Sequence, residues 1–97
     1  MGADKYEVLG VLGTGATGTV YLARETRLDR EVAFKELAPA LAADPTFIER
    51  FRGEARIMAA LDHPNVVKVF DFFEENGRVV LVSEYVRGAS LRQVLDH

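Results

Sequence analysis

The sequence has no cysteine among its 97 residues, which excludes a disulfide framework and a thiolate metal site. Its two histidines, His63 and His97, are too few and too far apart to make a zinc site, so no metal site is expected in this chain. No apolar run approaches the roughly 20 residues that span a bilayer. The start of the chain, Met1 to Glu7, is polar and lacks the apolar core of a signal peptide. A cytoplasmic location is therefore expected, with a membrane anchor possible elsewhere in a longer protein. A basic excess is missing too. The formal net charge is -3, so nucleic acid is not an expected partner. There are no repeats and no low-complexity tract.

What is present is ordinary for a globular domain: 48% hydrophobic and 28% charged residues. The length permits one small domain, which alone buries only a modest share of its surface. Half-alternating Val, Leu and Tyr predict a strand over 6–13. Gly13 to Gly18 is a glycine-rich loop, and strands follow over 19–25 and 30–37. Pro39 to Ala43 is a loop or a short helical turn. Asp44 offers an N-cap side chain and Pro45 a first-turn residue, so a helix is expected over 45–61. Asp62-His63-Pro64-Asn65 ends it. Two more strands, 66–74 and 78–84, flank Asn76-Gly77, a strong hairpin signal. After Gly88, Ser90 could cap a helix beginning within 90–97. The expected class is α+β, a five-stranded antiparallel sheet with one main helix packed on it.

Three features carry chemistry. Gly13-Thr14-Gly15-Ala16-Thr17-Gly18 matches G-x-G-x-x-G, a weak signal alone. A dinucleotide-binding loop leads directly into a helix, whereas this one leads into Thr19-Val20-Tyr21-Leu22, which is strand-like. It therefore joins two antiparallel strands, where glycines let backbone N–H groups approach a phosphate closely. A plain flexible hairpin is the alternative.

Lys35 sits in the apolar strand Val32-Ala33-Phe34-Lys35 and shares a face with Ala33. It marks either the exposed end of the strand or a functional cation. On a helical wheel Phe47, Phe51, Met58 and Leu61 form one stripe, with Glu54 inside it. Glu49, Arg52 and Arg56 point away. A carboxylate on a buried face is costly unless a cation meets it, and Lys35 is the nearest candidate.

Together these residues resemble the protein kinases. The resemblance runs through Leu12 to Val20, Val32-Ala33-Phe34-Lys35, Glu54, and Leu81-Val82-Ser83-Glu84-Tyr85-Val86. The stretches Phe51-Arg52-Gly53-Glu54-Ala55, Leu61 to Val67 and Glu84 to Gly88 are most similar to bacterial serine/threonine kinases. The resemblance implies the small, ATP-binding lobe of such an enzyme, truncated after a hinge at 84–88. It implies that Gly13, Thr14, Gly15, Ala16 and Gly18 cover the ATP phosphates. Lys35 would hold the α- and β-phosphates, positioned by Glu54. Leu12, Val20 and Ala33 would pack on adenine, the backbones of Glu84 and Val86 would bond its edge, and Ser83 would be the gatekeeper behind it. Phe34, where smaller aliphatic residues are commoner, faces away from Lys35 as a packing variant.

No H-R-D loop and no D-F-G are present. The catalytic aspartate and the magnesium ligands are thus expected only in a longer parent, which would use ATP and Mg2+ and meet protein substrates through its larger lobe. The lobe alone is expected to be inactive. The apolar adenine side of Leu12, Val20 and Ala33 would make it self-associate. A stand-alone or pseudokinase-like binding module without catalysis remains the alternative.

Overall fold

The computed structural model describes residues 3–60 and 67–86. Leu61, Val66, the end of the expected hinge beyond Val86 and the helix expected within 90–97 lie outside the described residues. After a 3-10 turn at Ala3–Lys5 come β1 (Tyr6–Gly15), β2 (Gly18–Glu25) and β3 (Arg30–Leu37). A short helix α1 (Pro39–Ala42), the main helix α2 (Pro45–Ala60), β4 (Val69–Glu75) and β5 (Arg78–Glu84) follow among the described residues. The strands form one antiparallel sheet in the order β1-β2-β3-β5-β4. The expected α+β class with its single main helix is the class observed.

Each turn has a local cause. Asn76 and Gly77 both adopt positive φ, 54° and 78°, which joins β4 to β5 without splaying them. Asp44 Oδ1 accepts the Thr46 and Phe47 amides at 3.0 and 3.4 Å, capping α2 at its Pro45 start. β1 runs through Thr14 to Gly15, beyond the strand end expected at residue 13, because Gly13, Thr14 and Gly15 keep pairing with Val20, Thr19 and Gly18. The glycine loop is therefore a tight hairpin with only Ala16 and Thr17 at its tip. The Thr17 carbonyl accepts the Ala38 amide at 2.8 Å. Register shifts beside Leu9 and Leu12 put two irregularities into β1, a usual way to blunt an edge strand. β4 begins at Val69, later than expected, although the Lys68 carbonyl still accepts the Glu84 amide at 2.8 Å.

The sheet buries both faces. One packs on α2: Phe51, Ala55 and Met58 meet Leu37, Val79 and Leu81. Side chains of this size contribute about 1.5–3 kcal/mol each when fully buried. The other face gathers Ala23, Val32, Phe34, Val80 and Val82, flanked by Tyr6, Tyr21, Phe70 and Phe73. Phe34 is 2% exposed and meets Tyr6, Tyr21 and Phe73 edge-on, with centroids 5.6–6.3 Å apart. The Tyr6 hydroxyl donates to Asp71 Oδ2 at 3.0 Å, tying β1 to β4 across this aromatic layer. Strand alternation thus leaves Ala33, Lys35 and Leu37 on the α2 face and Val32 and Phe34 on the other.

Candidate functional site

The register lines up the expected site residues across one face. Val20 pairs with Gly13 on one side and Lys35 on the other, and Lys35 pairs with Leu81. In the adjacent row Ala33 lies between Leu22 and Ser83. Directly opposed residues of antiparallel strands share a face, so Val20, Ala33, Lys35 and Ser83 converge beside the glycine hairpin. Phe34, one residue from Lys35, is directed into the opposite core.

Lys35 is 3% exposed, which removes the reading of it as a solvated strand end. Its Nζ lies 5.5 Å from the centroid of the Phe51 ring. An ammonium above an aromatic face is attracted by the ring quadrupole. Ser83 is also buried, and so are Val20 and Ala33. The last two therefore present no exposed apolar patch, contrary to expectation. Both are modest side chains in the interior of the sheet, flanked by strands on each side. Among the described residues, the large apolar side chains that are exposed are Val8, Leu9, Val11, Leu28, Ile57 and Val86.

The glycine hairpin divides in character. Leu12 and Gly13 are half-buried, while Thr14, Gly15 and Ala16 are exposed at the tip. Gly18 is buried, and a Cβ there would lie 2.1 Å from the Glu36 carbonyl oxygen. Close packing of β2 on β3 thus demands a glycine at this position. A hollow of about 450 Å3 at the hairpin is lined by Thr14, Gly15, Gly18, Tyr21 and Glu36. It opens beside Glu36 rather than Lys35, and Arg78 holds the Glu36 carboxylate with two hydrogen bonds of 2.8 and 3.0 Å.

Glu54 departs from its expected place. It is exposed, and it is not among the carboxylates that form ion pairs within the described residues. The reason is the rotation of α2. Its buried stripe is Phe51, Ala55 and Met58, centred on the Ala55 side of Phe51, and Glu54 sits about 60° to the other side at 100° per residue. Arg52, expected to point away, instead reaches β4. It pairs with Glu49 on its own helix and with Glu74 on β4, and its guanidinium lies 5.7 Å from the Phe72 centroid. No periodicity in the sequence marks this contact, because a long arginine stem covers apolar surface from the flank of a stripe.

Toward the end of β5, the Glu84 amide is already engaged by Lys68, so the carbonyl is the backbone group Glu84 has to offer a ligand. Val86 is exposed. Among the described residues there is no cluster of three or more His, Cys, Asp or Glu side chains that could hold a metal ion. No helix among them is long and apolar enough to cross a membrane.

Comparisons with known proteins bear on the family and the fold. A family model described as the protein kinase domain matches residues 6–97. The serine/threonine-protein kinase PrkC of Bacillus subtilis is 45% identical over 93 residues, covering 96% of this chain and 14% of that protein. PknB of Mycobacterium tuberculosis is 44% identical over 97 residues, covering 96% of this chain and 16% of PknB. A crystal structure of a single-substitution variant of the Mycobacterium tuberculosis PknI kinase domain superposes with a TM-score of 0.77 at 37% identity. It covers 93% of this chain and 36% of that domain. The chain thus spans about a sixth or less of the curated relatives it matches.

Proposed function

We propose, from the premise that this chain belongs to the protein kinase family, that it is the ATP-binding lobe of a bacterial-type serine/threonine kinase. The observation that carries the reading is Lys35: a cation 3% exposed, in register with Val20 and the first glycine of the hairpin. Burying an ammonium is costly unless it serves a partner or a ligand. A triphosphate laid under Gly13 to Gly18 would bring its oxygens to that charge. Backbone N–H groups at Thr14, Gly15 and Ala16 are the donors that suit it.

The other assignments extend the same reading. Leu12, half-buried at the hairpin, offers apolar surface to an adenine ring, with Val20 and Ala33 packed in the sheet beneath it. Ser83, across from Ala33, is the gatekeeper behind the ring, and the Glu84 carbonyl and Val86 backbone take its edge. Glu54 is the carboxylate that orients Lys35, once α2 turns toward β3. Bound with magnesium, ATP supplies the transferable phosphoryl group, and the ligands for that metal would come from a longer protein. Phosphorylation of protein serine and threonine is the activity this lobe would serve.

Titration of the chain with a fluorescent ATP analogue, for the wild type and Lys35→Met, tests the reading. Saturable binding weakened about tenfold or more by the substitution is the expected result, since a buried charge-assisted contact is worth roughly 1.5–3 kcal/mol. Equal affinity for the two proteins would remove the assignment.

A further inference from the structure

We propose that Asn76-Gly77, the turn between β4 and β5, is a self-modifying site. The Gly77 backbone nitrogen attacks the Asn76 side chain, and the turn is converted with time to aspartate and isoaspartate. The isoaspartate form loosens β4 from β5.

The two residues set the chemistry. Once deprotonated, the Gly77 nitrogen adds to Cγ of Asn76. The bond from Cγ to the side-chain nitrogen breaks, and ammonia leaves with the proton. A succinimide ring remains, and water opens it at either carbonyl. One product has an ordinary aspartate. The other, isoaspartate, carries the main chain through Cγ and keeps its free carboxylate on Cα. No oxidant or reductant takes part. Glycine suits the attack because it has no Cβ to obstruct its nitrogen. The one other asparagine in the sequence, Asn65, precedes Val66, whose branched side chain crowds the same approach.

The fold leaves this pair open. The last rung of the β4–β5 ladder is Glu75–Arg78, so both reacting residues lie beyond it, at the tip. Both are exposed. A Cβ built on Gly77 would meet nothing within 4 Å, which leaves clear space beside the attacking residue. The residues that favour this hairpin through their positive φ are thus the residues that favour ring closure.

The two products differ in effect. Aspartate tolerates positive φ as asparagine does, so the aspartate form keeps the hairpin. Isoaspartate inserts an extra carbon into the backbone of a two-residue turn. The length of a turn fixes the register of its hairpin, so Glu75 and Arg78 can no longer pair squarely. The disturbance enters β5 at Arg78, which two bonds of 2.8 and 3.0 Å tie to Glu36 of β3. Next along β5 come Val79, Val80, Leu81 and Val82, all buried in the two cores.

Ageing the purified chain in mildly alkaline buffer, with peptide mapping by chromatography and mass spectrometry, tests the proposal. Direct hydrolysis of the side-chain amide gives aspartate alone, so isoaspartate marks the ring. Conversion at Asn76 should outpace that at Asn65 about tenfold or more, since glycine leaves open what valine crowds. It should quicken as pH rises, because the attacking nitrogen must lose its proton. Asn76→Gly keeps a turn-forming pair and should show no change at the turn on ageing. Amide hydrogen exchange over Val79 to Val82 should be about fivefold faster or more in the isoaspartate form than in the unaged chain or in Asn76→Asp. Equal rates at the two asparagines, or aspartate as the sole product, would overturn the ring chemistry. Exchange in the isoaspartate form no faster than in Asn76→Asp would overturn the loosening of β5.

Discussion

The Lys35 ammonium and the Phe51 ring meet between sheet and helix, 5.5 Å from nitrogen to centroid. Phe51 is the largest buried side chain with which α2 packs on the sheet: its ring contacts Phe72 of β4, and Phe47 of the same helix stacks on it. Phe51 is 4% exposed, whereas Ile57 on the same helix is 63% exposed. Phe51→Ala should therefore cost about 3–5 kcal/mol, and Ile57→Ala less than about 0.5 kcal/mol. Urea denaturation followed by circular dichroism separates the two. In so small a domain the first change should leave most of the chain unfolded.

Gly18 and Gly53 make a second contrast. A methyl group on Gly18 would meet the Glu36 carbonyl oxygen at 2.1 Å, a backbone atom that cannot swing aside, while one on Gly53 meets nothing within 4 Å. Gly18→Ala should destabilise the sheet by about 2 kcal/mol or more. Gly53→Ala, inside α2, should stabilise by about 0.5–1 kcal/mol because alanine loses less backbone entropy in a helix. Melting temperatures moving in opposite directions are the expected outcome.

Tyr6 gives the fold a pH limit on the alkaline side. Partial burial raises its phenol well above the ordinary value of 10.0, and the Asp71 carboxylate adds to the effect by charge and by hydrogen bond. Above pH 10 the unfolded chain releases this proton while the folded chain keeps it. Stability contributed by Tyr6 is thus complete below pH 10 and declines as pH rises through the folded value. Tyr6→Phe should be less stable than wild type at pH 8, and the gap should narrow above pH 10. A gap that stays constant to pH 11 would exclude the Tyr6–Asp71 bond as its source.

Ser83 is 7% exposed, behind Ala33 in the same row. A hydroxymethyl group is smaller than a methionine side chain, and each CH2 that a ligand buried beside it would be worth roughly 0.8 kcal/mol. An adenine analogue carrying a bulky N6 group should bind this chain more tightly than it binds Ser83→Met, by about tenfold. ATP itself should be nearly indifferent. Competition against the fluorescent analogue measures both.

Much of this arrangement was legible in the residues. Asp44-Pro45 announces the start of α2, Asn76-Gly77 the second hairpin, and the alternation through Val32 to Lys35 separates the two faces of β3. These are local signals, each decided by one or two residues. The rotation of α2 was not legible. On the wheel Glu54 falls inside the stripe of Phe47, Phe51, Met58 and Leu61, and alanine at 55 is too small to pull that stripe toward itself. Phe51 against Phe72 and Arg52 against Glu74 settle the angle, and both partners lie on a strand far along the chain. The extent of β1 was hidden for another reason. Glycines suggest a loop by composition, yet pairing carries the strand to Gly15 because nothing in Gly13-Thr14-Gly15 forbids an extended backbone.

The bond from the Ala38 amide to the Thr17 carbonyl, 2.8 Å long, makes the hairpin tip and the approach to α1 a single mechanical piece. Lifting the flap that would cover a nucleotide means tearing this amide loose. The same tug then reaches Pro39 and, one short helix later, the capped beginning of α2. A ligand that presses the flap down and a partner that grasps α2 would therefore feel one another through a hinge of a few residues. Proton exchange at Ala38 would time each opening.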